Sequence, residues 1–151
     1  MHTDDMAKNV VKCCLVGDAM VGKTAVVQTF LDKDLKQYTP TVFDNYAVHR
    51  ESFQNVNKFW VPELKKYARR RPLLILVDTH CELNNTSSSD TDKPVSIEEG
   101  FSMAQEIEAV SFIECGTLSK ETSRKIFTDA VINTVKKKKN KTSKFMNLFK
   151  R

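Results

Sequence analysis

Residues 17 to 24 read Gly-Asp-Ala-Met-Val-Gly-Lys-Thr, types and spacing suited to holding a row of anionic oxygens. Gly17 and Gly22 let the main chain approach a phosphate, and successive N–H groups turned inward form a nest for its oxygens. Lys23 supplies a cation for β- and γ-phosphates, and the Thr24 hydroxyl supplies a ligand for Mg²⁺. Asp18, Ala19, Met20 and Val21 fill the loop, and Ala25 leads into a helix whose N-terminal dipole adds to the same field. The stretch satisfies Gly-x-x-x-x-Gly-Lys-Thr, the spacing of a phosphate-binding loop for nucleoside triphosphates.

Such a loop has to be carried between a strand and a helix. Val10 to Val16 is an apolar, β-branched run that predicts a buried strand, and Ala25 to Leu31 continue at helical spacing. Further on, Phe53, Val56, Phe59, Trp60 and Leu64 recur at helical intervals within 52–64, giving one apolar stripe for core packing. Arg69-Arg70-Arg71 and Pro72 end that helix, and Leu73 to Val77 is a run that parallel sheets bury on both faces. After a Ser-rich loop at Thr86 to Asp90, the pattern predicts a helix over 101–110, a strand over 111–115 and an amphipathic helix over 120–135. The last turns Ile126, Phe127, Val131 and Val135 inward. Helices alternate with strands, as in an α/β fold with a mostly parallel sheet.

The chain has 151 residues, a 40% hydrophobic content and a net charge of +5, sized for one domain with a core. The charge is uneven. Residues 136–151 hold seven Lys and one Arg with no acid, leaving a net −3 on residues 1–135. A body of that sign does not suit a nucleic-acid surface, so any anionic partner is expected at the tail. The reading is therefore a domain over 1–135 and a polybasic tail over 136–151. Cys13, Cys14, Cys81 and Cys115 show no metal or redox spacing and are expected to be reduced thiols. No apolar stretch approaches the ~18 residues of a membrane span, and the polar N-terminus does not read as a signal peptide; a cytoplasmic chain is expected.

Tyr38-Thr39-Pro40-Thr41-Val42-Phe43-Asp44-Asn45-Tyr46 resembles the switch I and effector segment of the Rho, Rac and Cdc42 branch of the Ras-like small GTPases. Read without that resemblance, the segment is the start of an edge strand. The resemblance implies that Thr41 completes Mg²⁺ coordination and senses the γ-phosphate, that Tyr38 closes over the nucleotide, and that Thr41 to Tyr46 meet effectors and regulators. It implies GTP/GDP and Mg²⁺ as ligands. Residues 77–83, Val-Asp-Thr-His-Cys-Glu-Leu, are similar to the family's Gly-Thr-Lys-x-Asp-Leu base-recognition run. Thr79 matches its threonine, while His80 and Glu82 replace its lysine and aspartate. Glu82 keeps a carboxylate for the guanine edge on a longer stem, which weakens the preference for guanine. Gly116, in Glu-Cys-Gly-Thr-Leu, stands in the segment whose backbone supports the base.

Only five residues, Ala47 to Glu51, separate Tyr46 from Ser52, where the resemblance requires most of two strands, the Asp-Thr-Ala-Gly-Gln switch II segment, a helix and a further strand. The inserted helix typical of the branch is also missing at the Ser-rich loop. The expected fold is thus an α/β, P-loop small GTPase-like domain made incomplete by an internal deletion. The strand before the P-loop would lose both sheet neighbours, each buried unpaired peptide group costing about 1–3 kcal/mol. Loss of the switch II glutamine removes the group that orients water, and the Ala19 methyl projects toward the γ-phosphate; no catalytic residue is assigned, and hydrolysis is expected to be impaired. The tail has no cysteine for prenylation. Its lysines with Phe145, Met146, Leu148 and Phe149 fit an anionic membrane surface, a nuclear import signal or a solvated end. The functional expectation is a Rho-type guanine-nucleotide-dependent signalling switch acting on actin, polarity or membrane traffic. The alternative is a non-catalytic interaction module that presents the effector-like segment and the basic tail.

Overall fold

The computed structural model describes residues 10–31, 46–79, 95–115 and 119–148. Its organising element is a parallel pair, β1 (Ile75–Thr79) with β2 (Ser111–Cys115), in a register running from Ile75↔Ser111 to Thr79↔Cys115. Side chains of a strand alternate between faces. Leu74 and Leu76 accordingly join Val61, Ala104 and Ile107 in one cluster, whereas Ile75 and Val77 join Val26, Ile113 and Ile126 in another. The two clusters lie on opposite faces of the sheet, giving three layers. Helices α3 (Val61–Tyr67) and α4 (Ile97–Glu106) cover one face; α1 (Lys23–Phe30) and α5 (Lys120–Leu148) cover the other.

The expected strand over 10–16 is absent: those residues are irregular and join no ladder. Their composition favours a strand, but a strand exists only where a neighbour takes up its N–H and C=O groups, and the block that would supply one is missing. Between residues 11–16 and β1 a cavity of about 660 Å³ remains, and Cys13 and Cys14 stay exposed as free thiols.

The helix predicted over 52–64 is longer and broken in pitch. It comprises α2 (Tyr46–Asn55), a π-helical turn at Val56–Trp60, and α3. Pro62 accounts for the change: it has no N–H for the carbonyl four residues back, and its ring crowds that carbonyl. The Val61 N–H instead reaches Val56 O, five residues back. The added rotation leaves Phe59, expected inward, 51% exposed. Helix α3 stops at Ala68, which is extended, just before the arginine run.

Helix α4 begins four residues earlier than its apolar pattern suggests. Ser96 and Glu99 form a reciprocal capping box, the Ser96 Oγ accepting from the Glu99 N–H and the Glu99 carboxylate from the Ser96 N–H. The same carboxylate takes a two-pronged bond from Arg50 of α2, at 3.0 and 3.1 Å. Gly100 is buried against β2, where a Cβ would overlap the Phe112 ring, with Cε1 only 2.9 Å away. Helix α5 runs past the expected end at 135 to Leu148, since no Gly or Pro interrupts it. Ile126 is buried, but Val131 and Val135 are 45% and 40% exposed rather than inward, because the two-stranded sheet does not extend beneath them. Among the described residues no helix is long and apolar enough to cross a membrane.

Two outcomes are expected in urea denaturation. Gly100→Ala should destabilise the fold by about 1–3 kcal/mol despite its better helix propensity, because the Phe112 ring must be displaced. The Arg50 bond and the Ser96 N–H hold the Glu99 carboxyl below its ordinary range. Its contribution is therefore present above the unfolded carboxyl pKa of about 4.3 and is lost as pH falls through the lower folded value. Glu99→Gln should flatten the stability–pH curve in that acid range; an unchanged curve would show that the box carries no charge-dependent stability.

Candidate functional site

The loop between the irregular segment and α1 has the backbone its sequence requires. Gly17 lies at φ 147° and Gly22 at φ 85°, both in the region that favours glycine, and Gly22 is the N-cap of α1. Met20 also takes a positive φ, 65°, and its side chain is 56% exposed at the loop tip. Val26 N–H donates to Gly22 O at 3.0 Å, the first bond of the helix. The N–H groups of Lys23, Thr24 and Ala25 therefore precede the intrahelical ladder, no side chain caps them, and the first turn carries no acid. An anion placed there meets free donors and the positive end of the dipole.

Lys23 folds back over this bowl. Its ammonium donates to Gly17 O at 2.8 Å and to Asp18 O. Two of its three N–H donors are thus spent on neutral carbonyls, which position the charge without cancelling it, and the third remains for a ligand oxygen. Asp18 has the opposite role. A carboxylate inside a phosphate loop would repel the ligand, but here Asn55 Nδ2 donates to its Oδ2 at 2.7 Å and Trp60 Nε1 to its Oδ1 at 2.6 Å. The two helical side chains engage that negative charge with N–H donors and fasten the loop to the α2–π segment. Thr79, at the last position of β1, donates from Oγ1 to Val21 O at 2.8 Å, so the loop is also tied to the sheet.

The residues inferred from sequence therefore separate into two groups. Gly17, Asp18, Ala19, Met20, Val21, Gly22, Lys23, Thr24, Ala25 and Thr79 are brought together at the C-terminal end of β1, with Ala19 and Thr24 exposed. Tyr38, Thr41, His80, Glu82 and Gly116 lie outside the described residues. Trp60 does more than pack, and Asn55 carries no signal in the sequence. An indole N–H that becomes half-buried needs an acceptor, but nothing local indicates that the acceptor is 42 residues away. Among the described residues no group of three His, Cys, Asp or Glu could hold a metal ion.

A family model described as the Ras family matches residues 46–137. The match covers more than half of the chain and begins beyond the loop at 17–24, so the loop geometry and the match are independent observations.

Trp60→Phe, which keeps a ring and deletes the N–H, is expected to lower stability by about 1 kcal/mol and to speed amide exchange across 17–22. Asn55→Ala should act in the same direction. Unchanged exchange in both variants would show that the Asp18 anchor does not hold the loop.

Proposed function

The chain belongs to the Ras family, whose members bind guanine nucleotide with Mg²⁺, and we propose that it is a Rho-type member that retains nucleotide binding and has lost efficient turnover. The observation that carries this reading is the Lys23 ammonium held by the Gly17 and Asp18 carbonyls beside an uncapped helix N-terminus, with the Asp18 carboxylate taken up by Asn55 and Trp60. Thr24 and Thr41 would hold Mg²⁺, which when bound neutralises charge on the β- and γ-phosphates. Tyr38, Thr79, Glu82 and Gly116 would line the nucleoside. The resemblance at 38–46 supports assignment to the Rho/Cdc42 branch and to effectors met by Thr41 to Tyr46. Residues 1–135 would form the switch domain, in the cytoplasm. Residues 136–151 would add a basic segment drawn to anionic membranes at about 1 kcal/mol per cation. The second reading, an interaction module without turnover, is favoured by one observation: the strand that should support the loop is not formed.

Titration with fluorescent GDP, GTP and ATP, with and without Mg²⁺, is expected to give saturable guanine binding that Lys23→Ala weakens tenfold or more. Absence of saturation by every nucleotide, on a sample that is folded by circular dichroism, would exclude the switch and leave the interaction module. In a single-turnover assay phosphate release should match GTP in buffer. Protein-dependent release would overturn the loss of turnover; with the missing switch II block restored, no gain with Ala19→Gly would remove the idea that the Ala19 methyl restricts hydrolysis.

A further inference from the structure

The cavity between residues 11–16 and β1 has the chemistry of a place for a strand. Leu74 O accepts from Val110 N–H at 2.8 Å just before the ladder begins. Peptide groups alternate along a strand, so every second residue of β1 faces β2. The intervening residues direct their N–H and C=O groups to the opposite edge, which no strand among the described residues pairs. That edge borders the cavity, and the irregular 11–16 segment across it forms no ladder. The remaining walls belong to the two faces of the sheet: Val61 and Leu64 on one, Ile126 and Phe127 on the other. A strand buried on both faces reads as a continuous apolar run, not as an alternating one. Arg70, Arg71, Lys137 and Lys138 also border the cavity; Arg71 pairs with Glu108, and Lys137 donates to Arg71 O at 3.0 Å. Along the cavity wall, whose acids are Asp18 and Asp78, cations outnumber carboxylates.

We propose that the cavity is a docking site for an extended segment of another polypeptide, which adds as a strand to the free edge of β1. The segment has successive apolar, mainly β-branched residues, matching the five of β1, and an acidic residue at the end that meets Arg70. A volume of about 660 Å³ is within the range of ligand sites. An acyl chain with a carboxylate head matches the walls and the charge equally well. It would, however, enclose the outward peptide groups of β1 without partners, whereas a strand satisfies them. Docking requires no nucleotide and stands independently of the nucleotide reading.

The test uses the full chain, free of nucleotide, titrated with a synthetic peptide of five Val and Ile residues flanked at one end by aspartates. Binding is followed by calorimetry and by the fluorescence of Trp60, the single tryptophan, which borders the cavity. Saturable binding is expected, with amide exchange slowed at alternate residues of β1. Affinity should fall at least tenfold for the same peptide N-methylated at alternate residues, and at least threefold for Arg70→Glu, the latter restored when the aspartates become lysines. Equal binding of the N-methylated peptide would overturn the proposal. So would displacement of the peptide by oleate with no change in exchange along β1, or a concentration-dependent dimer that excludes the peptide.

Discussion

Five register pairs between β1 and β2 hold together everything that can be called a sheet in the described residues, and the other elements are placed by reference to that ladder. Its two faces carry the two apolar clusters, so α3 and α4 are positioned by Leu74 and Leu76, and α1 and α5 by Ile75 and Val77. The end of β1 sets the phosphate-type loop through Thr79. A two-stranded parallel ladder is a small foundation, because parallel strands are normally buried among several neighbours. Among the described residues, the unpaired edge of β1, the irregular 11–16 segment and the exposure of Val131 and Val135 on α5 are three consequences of the same shortage of strands.

The loop survives that shortage because it is anchored from the side. In an intact sheet the preceding strand would hold Gly17 in place. Here Asn55 and Trp60 grip Asp18, and Thr79 grips Val21, so three hydrogen bonds from two elements substitute for a ladder. The anchors also arrange the charge: the carboxylate is fixed toward the helical side, and the ammonium of Lys23 is fixed over the bowl. An electropositive helix N-terminus thus results from positions distant in sequence, although each participating residue type is ordinary.

Much of the local structure was readable because its causes are local. The glycine spacing anticipates the positive φ angles of Gly17 and Gly22, the run at 73–77 anticipates β1, and the 111–115 strand is where it was expected. The misjudged boundaries each have a definable cause. Helix α4 starts at its capping box and not at its first aromatic residue, Pro62 converts a regular helix into a π turn, and α5 continues through the lysines because Lys is a good helix former. The strand expected at 10–16 failed for a different reason: β-propensity describes a fit to neighbours, and the neighbours are absent.

The sequence alone determined the phosphate-type loop, the alternation of helices and strands, and the gap between Tyr46 and Ser52, since each is written in contiguous residue types. Tertiary structure alone decided which strands pair, which donors take up the Asp18 carboxylate, and that among the described residues an apolar slot lies beside an unpaired edge of β1. The reason is common to all three. Hydrogen-bond partners and packing surfaces are chosen among groups tens of residues apart, and a local pattern states what a residue needs without stating which distant group will supply it.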